Sequence, residues 1–165
     1  MIQDKFGIGD AMSLQVDKGF ASDIHATGEV TLTLYGPDGE VKETRIANTV
    51  KAAGLAGAAD QILASPTLPK PGWMEVGTGS PAATLLGAYI VGSRTAMNAP
   101  KTRAAGVVTM VTVFGAGVGT GAITEAGVFD VVTENTVNMW LSASFSVVNK
   151  AAGDSLTITW TLTFA

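Results

Sequence analysis

The chain predicts an all-β fold, a single β-sandwich or jelly-roll-like domain over residues 28–165 with one short helix and an extended N-terminal arm over 1–27. Three observations lead there. In the last segment, "SLTITWTLTFA", Leu156, Ile158, Trp160, Leu162 and Phe164 alternate with four threonines, the period of a half-buried strand. "GEVTLTLYGPDGEVKETRI" alternates Val30, Leu32 and Leu34 with Thr31 and Thr33, then breaks at Gly36–Gly39 with Pro and Gly where a β-turn wants them. Everything between Val107 and Ala165 reads as short β-branched, aromatic-rich runs parted by turn signals.

Taken in order, residues 1–27 hold neither a helical nor a strand period and read as the arm. The 30–46 stretch is a hairpin. "NTVKAAGLAGAADQILAS" follows, where Asn48 or Thr49 can cap a short helix whose apolar face includes Leu55, Ala58, Ala59, Ile62 and Leu63. Gly54 and Gly57 weaken that helix by about 1 kcal/mol each relative to Ala. Residues 65–87 are rich in Pro, Gly, Ser and Thr, so they form loop around a short strand, "WMEVG". Strands then follow at Val107–Phe114, Ile123–Asp130, Asn138–Val148 and Ser155–Ala165. "NKAAGD" reads as the turn of a hairpin joining the last two. In the first of that pair, Leu141, Ala143, Phe145 and Val147 oppose three serines across the strand. The count is seven or eight strands, too few helices for a doubly wound fold, and Greek-key connections are expected.

The composition narrows function. Of the 165 residues 47% are hydrophobic and 15% charged, which leaves little polar residue for a monomer's surface and points to surface buried against partners. With a net charge of −4 and no Lys/Arg cluster, no nucleic acid is expected as ligand. No window reaches the ~20 apolar residues of a membrane span, and the first twenty residues lack the apolar run of a signal peptide, so synthesis in a cytoplasm and no membrane partner are expected. There is no cysteine, hence no disulfide and no thiolate metal site.

The most motif-like stretch is "VFGAGVGTGAITEAGVF". Gly117 to Ala122 fits the G-x-G-x-x-G/A dinucleotide pattern, but a helix must follow for its amides to meet a pyrophosphate. "ITEAGVFD" is strand-forming, so the segment reads as a glycine-rich turn feeding a strand, with Gly121, Glu125 and Gly127 as its structural residues. Glu125 has no second carboxylate at a catalytic spacing. Its expected role is to accept hydrogen bonds from turn amides or from Arg94, Lys101 or Arg103. "GTGSP" (Gly77 to Pro81) could form an anion-binding nest of amides, though a tight loop is the simpler reading. His25 is the only histidine, which leaves no His-rich metal site and no Ser-His-Asp triad outside the arm. No catalytic residue, cofactor or metal is expected. Trp140, on the face opposite Leu141, and Phe6 and Phe20 in the arm are the candidate interface residues.

These segments, and above all "GAITEAGVF" and "NKAAGDSLTITWTLTF", resemble a family of small virion structural proteins of tailed bacteriophages, the head-decoration, collar and tail-fibre-like proteins. The resemblance covers residues 28–165. It implies a β-rich, non-enzymatic building block of the virion, a homotrimer or other symmetric oligomer, made in the host bacterial cytoplasm. Its partners would be itself and major capsid, portal or tail proteins. Two other expectations stand beside capsid decoration or cementing: a short fibre or collar that touches the host, and a carbohydrate-binding sandwich using Tyr35, Trp73, Tyr89 or Trp140.

Overall fold

The computed structural model describes residues 26–47, 57–99, 101–137 and 139–164. The arm expected over 1–27, with Phe6, Phe20 and His25, lies outside them except for Ala26 and Thr27, which open the first strand. Nine strands are described: β1 (Ala26–Tyr35), β2 (Val41–Ala47), β3 (Trp73–Gly77), β4 (Thr95–Ala96), β5 (Thr102–Ala104), β6 (Val107–Phe114), β7 (Gly121–Phe129), β8 (Met139–Lys150) and β9 (Ser155–Phe164). They make two antiparallel sheets, ordered β2-β1-β9-β6-β5 and β4-β3-β7-β8. The fold is all-β and sandwich-like. Chain order alternates between the sheets in antiparallel pairs: β1β2 in the first, β3β4 in the second, β5β6 in the first, β7β8 in the second, then β9 back in the first.

That alternation corrects one expectation. β8 and β9 are not a hairpin; β8 pairs with β7, and β9 lies between β1 and β6. The turn at 151–154 carries the chain across the sandwich, and so does the glycine-rich turn at 115–120. Both leave β8 and β9 amphipathic, which is all that their sequence pattern encodes.

The core fills the space between the sheets. Leu156, Ile158 and Trp160 of β9 are completely buried, beside Phe114, Leu32 and Val30 of the same sheet and in one cluster with Val128 of the other. The threonines of β9 point outward and remain partly exposed. Register sets the outer face of the five-stranded sheet into rows, Thr33–Thr157–Val113 and Thr31–Thr159–Val111 among them. On β8 the alternation breaks. Ile123 pairs with Val148 but Glu125 pairs with Ser144, so three residues of β8 oppose the single Thr124, and the bulge inverts the phase. Val147, expected inward, is 43% exposed, while Val148 is buried.

A second irregularity moves Trp140. Val128 pairs with Leu141 and Phe129 with Met139, which makes Trp140 the extra residue of a bulge. Its ring turns into the core, 7% exposed, and its Nε1 points to Asp130 Oδ2 at 3.4 Å. The indole expected at an interface is therefore packed inside the chain, along an apolar groove of about 260 Å³ shared with Met110, Leu162 and Phe164.

The helix ends earlier than the pattern suggests. Residues 48–56, with both candidate caps, lie outside the described residues; 57–60 are helical and 61–65 are not. Ile62 and Leu63, expected on the buried face, are 84% and 57% exposed. Asp60 accepts hydrogen bonds from the Thr67 and Leu68 amides and folds the chain back at that point. A side chain at Gly57 would collide with the Trp140 ring. That glycine is a site of close approach as well as a weakness of the helix.

Candidate functional site

The outer face of the four-stranded sheet is roofed by the loop between β3 and β4, whose amides reach down to a buried carboxylate. β7 presents Glu125 and Gly127 on this face, β3 presents Glu75 and Gly77, and β8 presents Ser142. Pairing sets Gly77 opposite Glu125, and Gly127 between Glu75 and Ser142.

Glu125 is completely buried. Its Oε1 accepts from the amides of Gly79 at 3.0 Å and Ala88 at 2.8 Å, and its Oε2 from that of Gly87 at 2.9 Å. Of the partners the sequence allowed, the amides hold it and the basic side chains do not. The "GTGSP" segment supplies one of the three donors and "GA" at 87–88 the other two. Together they form a cradle for an anion, filled by the chain's own carboxylate. Beside it, Thr124 Oγ1 donates to the Gly79 carbonyl at 2.8 Å. The cradle needs a missing side chain: a Cβ on Gly77 would run into Glu125 Oε1 and the Ala88 carbonyl. Gly121, Glu125 and Gly127, expected as residues of a turn, all lie on strand β7. The turn itself is 115–120, where Gly117 and Gly119 adopt φ of 79° and 62°, conformations that glycine tolerates best.

One turn along the roof lies a buried ion pair that the sequence reading missed. Arg94 Nη2 donates to Glu75 Oε2 at 2.9 Å, and both side chains are 1% exposed. Arg94 Nη1 donates to the Val131 carbonyl at 2.7 Å, and its guanidinium lies 3.6 Å above the Phe129 ring. The backbone amide of Arg94 donates to Glu134 Oε1 at 3.1 Å. Burial pushes the Glu75 carboxyl above its usual range, opposed by Arg94. A side chain at Gly127 would strike the Phe129 ring and Met139 Sδ, so this glycine lets the aromatic ring lie flat under the guanidinium. Around it Leu86, Phe129 and Met139 form a small second core, with Trp73 and Tyr89 packed against it. No local signal marked the pair: Glu75 alternates with Met74 and Val76, the pattern of a strand whose acid faces water, and only the loop above it makes that face dry.

A third polar cluster ties the two sheet-crossing turns together. Lys150, 2% exposed, donates to the carbonyls of Gly115 at 2.9 Å and Asp154 at 2.7 Å. The Gly117 amide donates to the Ala152 carbonyl at 2.8 Å. Asp154 Oδ1 meets Lys42 Nζ at 2.6 Å, and its Oδ2 accepts from the Ala151 amide at 2.9 Å. The hydrogen bond from Lys42, then the one from Ala151, lowers the Asp154 carboxyl, whereas burial lowers the Lys150 ammonium.

All three clusters spend their charges on holding backbone in place. Among the described residues no group of three His, Cys, Asp or Glu could hold a metal ion, and no helix is long and apolar enough to cross a membrane. Of the aromatics considered for sugar stacking, Trp73 and Tyr89 lie against the second core and Trp140 in the main one. Comparison with protein families, with curated proteins and with solved structures finds no match.

Proposed function

We propose that this chain is a non-enzymatic structural component of a tailed-bacteriophage virion, a building block that cements neighbouring subunits at the capsid or neck. The observation that carries the reading is the use made of its most distinctive segment. "GAITEAGVF", one of the segments that suggested the resemblance, contributes Glu125, and that carboxylate is enclosed by three backbone amides with no exposed surface. A catalytic carboxylate needs a path to substrate, whereas one committed to loop amides rigidifies a module. Rigidity of this kind suits a part that adds stability to an assembly by mass action. The proposed partners are copies of this chain and capsid, portal or tail proteins.

The test uses antibody raised against the purified chain, applied to virions of the phage that encodes it and viewed by electron microscopy. Label over the head supports cementing. Label confined to a fibre or collar moves the chain to the host-contact role, and unlabelled virions, with the chain left in the lysate, overturn the proposal.

A further inference from the structure

The outer face of the five-stranded sheet is short of charge. Register places seventeen side chains on that face from β1, β2, β6 and β9, and Glu29 alone among them is charged. At the chain's own 15% of charged residues, two or three would fall there. Lys42 could have added a second, but it is the extra residue at a β2 bulge and turns to Asp154. Glu29 shares a row with Thr161 and Thr109, one residue beyond the last β1–β2 pair, Val30↔Ala47. The centre is threonine and valine. Thr31, Thr159 and Val111 share one row, Thr33, Thr157 and Val113 the next. Within these rows Val113 is 41% exposed, and Ile46, paired with Thr31, is 64% exposed.

We infer that this face is the self-contact of the chain, where a second copy stacks sheet on sheet about a two-fold axis. The inference rests on the proposed role as a symmetric building block and names the surface that role would use. Area supports a second copy as occupant. Four strands about 4.8 Å apart and eight residues long at ~3.3 Å per residue span about 500 Å², so a stacked pair buries at least about 1,000 Å², enough for a specific interface. Charge supports it too, because a two-fold contact sets each row against itself or its mirror neighbour. A uniformly neutral face is self-complementary, while scattered like charges would repel. Facing sheets of Thr and Val interdigitate as sandwich layers do, and their hydroxyls can pair across the layer.

The test is the oligomeric state of the full chain by sedimentation velocity over a concentration series. The wild type sediments as a dimer or a higher even oligomer. The double variant Thr159→Lys/Val111→Lys, which puts like charges at the centre, weakens association at least about tenfold. Val132→Lys, at a residue 58% exposed outside the strands, leaves it unchanged. Because the chain has no cysteine, single Thr31→Cys, Thr159→Cys and Val111→Cys variants supply an independent readout: under mild oxidant at least one forms a disulfide-linked dimer. A wild type that stays monomeric up to about 0.1 mM, an oligomer indifferent to the lysines, or no cross-link from any of the three overturns the inference. Labelled virions together with a monomeric chain would sink this contact and leave the virion role standing.

Discussion

Gly77 and Glu125 stand opposite one another on β3 and β7, and the side chain that Gly77 lacks is the space the Glu125 carboxylate occupies. The glycine and the acid are one device. Together they let the β3–β4 loop close down on the sheet with its amides satisfied.

Gly77→Ala therefore overpacks the cradle. We expect a loss of about 1–3 kcal/mol in urea unfolding, since the new methyl meets both the carboxylate and a backbone carbonyl. Gly115→Ala is the contrast. Nothing lies within 4 Å of a Cβ there, and its effect should stay within about 0.5 kcal/mol.

Removing the anion tests the cradle from the other side. Glu125→Ala leaves the buried amides of Gly79, Gly87 and Ala88 without their acceptor, at a cost of about 1–3 kcal/mol for each group left unpaired. Formate should raise the melting temperature of this variant and leave that of the wild type unchanged. Equal shifts in both proteins would show that the amides are not a preformed anion site.

Glu75 and Arg94 behave as a buried pair. Glu75→Gln strands the guanidinium under the roof and is expected to cost about 3–5 kcal/mol, whereas Glu75→Met/Arg94→Met, which removes both charges, costs less than either single change. A double-mutant cycle by chemical denaturation measures the coupling.

Acid separates two carboxyls by sign. Asp154 is lowered from 3.8 by its hydrogen bonds from Lys42 and Ala151, so the stability it contributes is present above 3.8 and lost as pH falls through its lower folded value. Glu75 is raised from 4.5 by burial, so its contribution has the opposite sign, complete below 4.5 and lost as pH rises through its higher folded value. Melting temperatures measured from pH 7 to 2 should show Asp154→Asn flattening the loss at the acid end. If that variant follows the wild-type curve throughout, the Lys42–Asp154 contact is not what the acid breaks.

Where the pattern was periodic, the residues were legible: both strands of the first hairpin, "WMEVG", β6, and the two faces of β9. Where a bulge intervened, alternation misled. Trp140 and Val147 each lie within a bulge that shifts the phase, and nothing in "NMWLSASFSVV" marks where pairing slips. The short helix was legible but its end was not: it stops at 60, and Asp60 accepts from the Thr67 and Leu68 amides farther along. For the candidate site, Glu125 could be singled out and its kind of partner anticipated. Its actual donors lie 46, 38 and 37 residues away, beyond any local pattern.

The division has a physical cause. A strand's inward face follows from period two and the cost of wetting five large apolar groups, both local properties of "SLTITWTLTF", so an all-β sandwich could be read from the chain alone. Which strand lies beside it is a different matter. A short turn can fold a strand back beside its predecessor or step it about 10 Å to the opposite sheet, and an amphipathic pattern is satisfied either way. The choice for β8 and β9 is made by the simultaneous burial of both inner faces and by Lys150 binding the two crossing turns. The same holds for Glu125, whose cradle exists only after β3, β7 and the loop above them are assembled.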